Sequence, residues 1–176
     1  MPPLPVSIRA LLDALADADA TVHWEAAKAL SALRDTRVVP PLIALAQGGG
    51  ASGQRAAAVY ALGWLRDSRA LAPLVQVLRD SREDAQLRGH AAEALAYIGK
   101  RRAVPALITA LDDPAPEVRL WSAFALGEMG DRRAVAPLER LAATDVTPVP
   151  GWRTVGEEAR QALKRLEAVR RRHHDP

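Results

Sequence analysis

The sequence predicts an all-α protein built as a solenoid of stacked helix pairs, and three observations carry this prediction. The same leucine recurs at intervals of 32, 33 and 31 residues, and a fixed period in this range is typical of repeat proteins. Apolar residues make up 49% of the chain but aromatic residues only 4%, so alanine and leucine, which favour helices, dominate. Alternating runs of β-branched residues, which predict strands, are absent. The recurring leucines are Leu30, Leu62, Leu95 and Leu126.

The first helix of each repeat is predicted by a stripe of apolar side chains at helical spacing. In the first copy, over residues 22–33, Ala26, Ala27, Leu30 and Leu33 fall at positions i, i+1, i+4 and i+7. The small alanines keep helix propensity high and let neighbouring helices approach closely. The equivalent sets are Ala58, Val59, Leu62, Leu65; Ala91, Ala92, Leu95, Ile98; and Ser122, Ala123, Leu126, Met129.

Glycine follows two of these first helices. Gly99 and Gly130 stand where a C-terminal glycine can adopt a positive φ angle. Arg34 and Arg66 occupy the same place in the first two copies, so we expect those two turns to close differently.

Each second helix is predicted to begin near an arginine, and a proline lies in or just beyond its first turn, where a missing N–H costs least. Asp35, Asp67 and Asp131 stand just before these helices and are predicted to act as N-caps or first-turn acids, whereas Lys100 replaces the acid in the third copy. The arginines are Arg37, Arg69, Arg102 and Arg133, and the prolines are Pro40, Pro73, Pro105 and Pro137.

The two ends of the chain read as half-repeats that cap the array. Residues 7–16 predict a lone second helix with Ser7 as its N-cap, and residues 155–166 predict a lone first helix. Terminal repeats need a polar outer side, which the charged residues of the last helix supply. We therefore predict one domain over residues 1–176, with a cap at 1–21, four repeats at 22–144, a loop and cap at 145–168 and a basic tail at 169–176.

Composition favours a soluble, cytoplasmic protein that is not an enzyme. The start of the chain is rich in proline and then acidic, so we expect neither a signal peptide nor a membrane span. The net charge of +3 is mild, and basic residues crowd the C-terminal end. The sequence has no cysteine, no phosphate-binding loop and no metal-ligand spacing, and the His173–His174 pair is not a preorganised site. We expect no cofactor and no metal.

The repeats resemble a known family. Residues 118–138 read V-R-L-W-S-A-F-A-L-G-E-M-G-D-R-R-A-V-A-P-L, which is similar to the HEAT-like repeats named after phycobilisome lyases. The resemblance covers about residues 22–141 and, with half-repeats, most of the chain; His23, Lys100 and Gly156 depart from the pattern. It implies a right-handed α-α superhelix of four full helix pairs flanked by half-repeat caps. It also implies that the first helices line the concave side, where variable positions usually bind partners.

A candidate binding surface remains once the packing stripe is set aside. The chain has 4 Trp, 2 Tyr and 1 Phe, and all but Trp152 fall on first-helix positions that the packing stripe does not use. Aromatic side chains are enriched at binding hot spots, although the same rings can also pack between helices as core. Trp152 lies in an irregular loop, where we expect it either to act as a lid or to cover the open end of the last repeat. The predicted surface comprises Trp24, Lys28, Tyr60, Trp64, His90, Glu93, Tyr97, Leu120, Trp121, Phe124 and Glu128.

Three functions are compatible with these patterns. The leading prediction is a non-catalytic interaction module or scaffold that binds a protein or peptide on the concave, aromatic-rich surface. The second is nucleic-acid binding through the arginine ladder and the basic C-terminal end, although pairing of these arginines, and of Arg55, Arg88 and Arg119, with neighbouring acids is the simpler interpretation. The third, a tetrapyrrole lyase or chaperone-like component, is implied only by the family's name. The partner's identity and the oligomeric state stay open.

Overall fold

The computed structural model describes residues 4–17, 19–48 and 50–172, and over these residues the chain forms ten α-helices. A short 3-10 turn precedes each of the helices α3, α5, α7 and α9. A further 3-10 turn, Ala110–Asp112, follows α7. The prediction of an all-α right-handed superhelix is confirmed. The helices are α1 Val6–Ala14, α2 Ala20–Ala32, α3 Val39–Gln47, α4 Ser52–Leu65, α5 Leu71–Arg79, α6 Ala85–Ile98, α7 Val104–Thr109, α8 Pro116–Met129, α9 Val135–Thr144 and α10 Val155–Arg172.

The first helices pack against one another more closely than the second helices do. The helices α2, α4, α6, α8 and α10 form one continuous layer, and α3, α5, α7 and α9 form a looser outer layer. Closer spacing on one side of a stack curves it toward that side. The first helices therefore lie on the inner, concave surface of the array.

Two glycines allow the closest approaches within the inner layer. A Cβ on Gly63 would lie 2.9 Å from Ala94 Cα, and a Cβ on Gly127 would lie 2.7 Å from Ala162 Cα. Because both obstructing atoms are backbone, no side-chain rotation would relieve the clash. The backbones of α4 and α6, and of α8 and α10, meet at these points.

The turns after the first helices share one backbone conformation. Gly99 and Gly130 end α6 and α8 with φ angles of +66° and +63°, as predicted. Arg34 and Arg66 adopt φ angles of +52° and +53°, so the expectation that these turns close differently is wrong. All four turns therefore use the left-handed conformation, although it costs a residue with a Cβ roughly 1–2 kcal/mol.

The predicted acidic caps are confirmed. The carboxylates of Asp35, Asp67 and Asp131 accept hydrogen bonds from the backbone N–H groups two residues further on, at 3.0, 2.9 and 3.0 Å. Hydrogen bonds from the side chain and backbone of the following arginine lower the pKa of Asp35 and of Asp131 to about 2.

The two end helices differ from their predicted limits. α1 begins at Val6 after Pro5, and no side-chain hydrogen bond caps it, so the prediction of Ser7 as N-cap is wrong. α10 continues to Arg172 and takes in part of the predicted basic tail, while His173 and His174 lie outside the described residues. Along the described part of the chain, no helix is both long enough and apolar enough to cross a membrane.

Candidate functional site

Four of the predicted aromatic residues form a connected row across α2, α4 and α6. Trp24 contacts Tyr60 edge to face with ring centroids 5.5 Å apart, and Tyr60 lies 6.0 Å from Trp64. Trp64 then stacks on Tyr97 at 4.9 Å and an interplanar angle of 28°. These contacts follow from the repeat. Residues four apart on one helix lie on the same face, and the stacking of repeats places the equivalent face of the next helix beside it.

A second aromatic group lies on α8 and the loop that follows α9. Trp121 contacts Phe124 at 5.7 Å and Trp152 at 4.8 Å, both nearly perpendicular. The seven rings of the two groups are called the concave aromatic surface below: Trp24, Tyr60, Trp64, Tyr97, Trp121, Phe124 and Trp152. Five of them are half-buried, whereas Trp64 is 46% exposed and Trp152 is 59% exposed.

A tight turn carries Trp152 to this position. The Trp152 N–H donates to the Val149 carbonyl at 2.9 Å, and Gly151 has a φ angle of +76°. Pro150 followed by a residue with positive φ is the pattern of a type II turn. Val149 is buried and anchors the turn to the body of the protein, so the exposed indole projects from a fixed base.

The predicted site residue Leu120 does not belong to this surface. Leu120 is 1% exposed and packs with Val149 and Val155 in a small second core beneath the loop. The loop covers this part of α8, which the repeat pattern alone would leave open. The prediction of Leu120 as a partner-contacting residue is therefore wrong.

A pocket opens between the two aromatic groups and is called the tryptophan pocket below. Its volume is about 480 Å³, within the range typical of ligand sites. Residues of the predicted binding surface line it from four helices, α2, α4, α6 and α8. Trp152 and several residues outside the predicted surface complete the lining. The lining residues are Trp24, Tyr60, Gln86, Gly89, His90, Glu93, Glu117, Trp121, Val149, Pro150 and Trp152.

Polar groups in and beside the tryptophan pocket are linked through Glu93. The Tyr97 hydroxyl donates to Glu93 Oε1 at 2.9 Å, and His90 Nδ1 lies 3.7 Å from Glu93 Oε2. Burial and the neighbouring Glu93 carboxylate raise the pKa of Tyr97 to about 12, so this hydroxyl stays a donor. The buried His90 Nε2 has no hydrogen-bond partner among the described residues.

The remaining charged residues of the predicted surface form ion pairs at its edges. Lys28 pairs with Glu25 at 2.8 Å. At the opposite end, Arg165 from α10 lies 5.2 Å above the Phe124 ring and pairs with Glu128 at 3.2 Å. Cations thus stand at the two ends of the surface, while its middle holds carboxylates and rings.

Three of the four arginines of the ladder are engaged within the protein, which supports the simpler of its two interpretations for those three. Arg37, Arg69 and Arg133 bind back to the acids that cap the same turns, with distances of 2.6, 2.7 and 2.8 Å. Arg69 and Arg133 also donate to backbone carbonyls of the preceding repeat. These guanidinium groups set the register between repeats.

A second row of arginines joins successive repeats along the linkers. Arg55 pairs with Glu83, Arg88 with Asp113 and Arg119 with Asp145, at 2.6, 2.8 and 2.7 Å. The Arg88 and Asp113 side chains are only 8% and 13% exposed.

Two copies of the repeat lack the arginine of this second row, because the sequence departs from the repeat pattern there. His23 takes the arginine's place in the first copy, and its buried ring lies where a Cβ on Gly53 would come within 3.2 Å of it. Gly156 takes that place in the last half-repeat, because a Cβ there would lie 2.3 Å from the Asp145 carbonyl oxygen.

No metal centre emerges from the part of the chain that the structure describes, where no group of three or more His, Asp or Glu side chains is arranged to hold an ion. What the site offers chemically is aromatic surface, two carboxylates, a histidine and a tyrosine hydroxyl. The predicted surface left out Trp152, which was expected only as a lid or a cover, and Glu117. Their signals in the sequence are weak: an aromatic residue in a loop that breaks the repeat period, and an acid in the first turn of α8.

Comparisons with known proteins agree with this architecture. The family model for HEAT repeats matches residues 8–85 and 81–164. The phycocyanobilin lyase subunit alpha of Picosynechococcus sp. is 35% identical over 97 residues, which cover 49% of this chain and 36% of that protein. The deoxyhypusine hydroxylase of Drosophila melanogaster is 39% identical over 67 residues, covering 38% of this chain and 22% of that protein. The chain thus spans well under two thirds of either relative.

Solved structures show the same fold. The complex of CpcE and CpcF of phycocyanin lyase from Nostoc sp. PCC7120 contains a chain with a TM-score of 0.71 at 24% identity, covering 96% of this chain and 67% of that one. A designed armadillo repeat protein in complex with the peptide (KR)4 has a TM-score of 0.57 at 20% identity, covering 91% and 82%.

These relatives correct one prediction and confirm another. The prediction that the chain is not an enzyme is contradicted, because both curated relatives are named as enzymes, a lyase subunit and a hydroxylase. Motif absence was a poor guide, since a repeat fold can build a site from residues scattered over several helices. The repeat prediction is confirmed along most of the chain. This protein belongs to the HEAT-repeat family, and its repeats are of the HEAT-like type named after phycobilisome lyases.

Proposed function

We propose that this chain binds an extended segment of a partner protein along its concave aromatic surface. The observation that carries the proposal is the exposure of Trp64 and Trp152, one in each of the two groups of contacting rings that flank the tryptophan pocket. Large exposed apolar surface is unfavourable in water, and aromatic anchors in a groove are the usual hot spots of protein interfaces.

The stack of helices suits a ligand of this shape. The surface runs across successive first helices, so an extended chain can contact one anchor per repeat. A protein of similar fold, the designed armadillo repeat protein, is in complex with a peptide. Nucleic acid is the weaker candidate, because Asp35, Asp67 and Asp131 already pair with the arginines that phosphates would need.

Selection from a displayed random-peptide library tests the proposal. Peptides that bind the whole chain are measured by fluorescence anisotropy against Trp64→Ala and Trp152→Ala, whose exposed rings can be removed without opening the core. We expect each variant to weaken binding about tenfold or more, as hot-spot truncations do. Val6→Ala in α1, an exposed apolar residue at 78%, is the matched control and should bind unchanged. Selected peptides that bind both tryptophan variants with wild-type affinity would refute the proposal.

A second candidate, binding of a linear tetrapyrrole for transfer to an acceptor protein, follows from the 35% identity with a phycocyanobilin lyase subunit. The tryptophan pocket has a volume of about 480 Å³, suitable for a small ligand. Its lining includes Glu93 and Glu117 but neither Lys nor Arg among the described residues, so a ligand with propionate groups lacks a counter-charge there. That imbalance favours the peptide candidate.

An absorption titration with phycocyanobilin tests the second candidate. Binding in the tryptophan pocket should shift its visible absorption band on addition of the protein, and Trp152→Ala should abolish most of that shift. An unshifted band, or a shift that Trp152→Ala leaves unchanged, would count against the tetrapyrrole candidate.

A further inference from the structure

We infer that the tryptophan pocket takes one positively charged side chain, a guanidinium or ammonium group, from the bound segment. The inference rests on the proposed function and names the chemistry by which the partner is recognised. It starts from the ring geometry. Trp24 meets Tyr60 at 82°, and Trp121 meets Trp152 at 74°.

These two perpendicular pairs stand on different sides of one pocket. Each pair forms a corner of nearly a right angle, so a group placed between the pairs has aromatic rings on more than one side. The faces of indole and phenol rings are electronegative and attract cations, and a box of such rings is the recurring way in which proteins bind ammonium groups. An uncharged apolar side chain would gain only burial there.

The charges of the pocket point to the same ligand. Glu93 and Glu117 line it, and no Lys or Arg lines it among the described residues. The two basic groups at the edges of the surface are already paired, Lys28 with Glu25 and Arg165 with Glu128 and Glu158. Glu93 accepts a hydrogen bond from the Tyr97 hydroxyl, whereas the Glu117 carboxylate has no ion pair among the described residues. A cationic side chain would therefore be attracted to Glu117, whereas an anionic one would be repelled.

The pocket's size and position fit a side chain carried by a peptide. A volume of about 480 Å³ exceeds that of one guanidinium group, so the flanking backbone also has room. Trp152 forms one wall from a loop whose base, Val149, is buried. The pocket is thus partly preformed, which lowers the ordering cost of binding.

The test uses a matched pair of probes, Nα-acetyl-arginine amide and its uncharged isostere Nα-acetyl-citrulline amide, titrated into the whole chain. The chain has 4 Trp, and each indole N–H gives one signal in a proton–nitrogen NMR spectrum. We expect the arginine probe to move the signals of Trp24, Trp121 and Trp152 saturably, with a much smaller effect on Trp64, which lies outside the pocket. The citrulline probe should leave all of them nearly unmoved. Equal shifts with both probes would overturn the inference.

A charge-removing variant provides the second readout. Glu117→Gln keeps the shape of the pocket and should weaken binding of the arginine probe about fivefold or more, as loss of a facing charge does. Glu139→Gln, on the exposed side of α9, is the control and should leave the affinity unchanged. Unchanged affinity in Glu117→Gln would also overturn the inference.

The two proposals fail in different ways. If library peptides need Trp64 and Trp152 but the arginine probe does not bind, the cation inference is wrong and the peptide surface stands. If the arginine probe binds as expected but no selected peptide depends on those tryptophans, the pocket is a cation site and the extended interface is wrong.

Discussion

Replacing Gly127 with alanine should destabilise the protein, although glycine-to-alanine substitutions inside a helix usually stabilise it. Alanine normally stabilises a helix interior by about 1 kcal/mol relative to glycine. Here the new Cβ would lie 2.7 Å from Ala162 Cα and 2.9 Å from Ala162 Cβ. Because carbon atoms pack at about 3.5–4.0 Å, α8 and α10 would have to separate by about 1 Å.

Such overpacking costs roughly 1–3 kcal/mol. After the gain in helix propensity, we expect Gly127→Ala to lower the free energy of unfolding by about 1 kcal/mol, or the melting midpoint by about 2–4 °C. Ala96 holds the equivalent place in α6, and Ala96→Gly is the matched control. It should also destabilise, by about 1 kcal/mol from helix propensity and by roughly another 0.8 kcal/mol from loss of a buried methyl group. Urea unfolding followed by circular dichroism gives both values, and a stabilised Gly127→Ala would refute the close-packing account.

Three further predictions concern turns and charges. Arg66→Gly should raise the melting midpoint relative to Arg66→Ala, because only glycine relieves the left-handed strain at φ +53°; equal midpoints would contradict this. Arg88→Ala should cost up to roughly 3 kcal/mol in urea unfolding, because the mostly buried Asp113 loses its cationic partner and keeps only the hydrogen bond from the Ala115 N–H. Arg82→Ala, which removes a side chain that is 88% exposed, should cost less than about 1 kcal/mol; similar losses would show the Arg88 pair to be unimportant. The Asp131 pKa is lowered in the folded state, so the unfolded chain takes up protons first as pH falls from 3.8 toward about 2, and stability should fall over that window. Asp131→Asn should flatten this slope in melting curves measured at successive pH values, and an unchanged slope would contradict the assignment.

Local rules explain why most of the fold was predictable. Helix periodicity, acidic caps such as Asp35 and glycine stops such as Gly99 each act within a few residues of sequence. Arg66 shows the limit of such rules, because it adopts the left-handed conformation against the preference of a residue with a Cβ for negative φ. Ser7 failed as a cap for a related reason, since the helix could begin earlier, directly after Pro5.

The candidate site was only half predictable. Tyr60 and Tyr97 lie where the repeat register places them, because the register is set by neighbouring helices. Trp152 and Leu120 depend instead on an irregular loop that folds back over α8, exposing one and burying the other. No periodic pattern describes that loop, so its contribution became visible only in three dimensions.

We propose above all that the partner binds on the concave aromatic surface. The most direct test is calorimetric titration of one library-selected peptide into the wild-type chain and into the double variant Trp64→Ala/Trp152→Ala, with melting midpoints measured in parallel. We expect the double variant to melt close to the wild type, because both rings are about half exposed, and to bind at least about a hundredfold more weakly. A double variant that keeps wild-type affinity would contradict the claim.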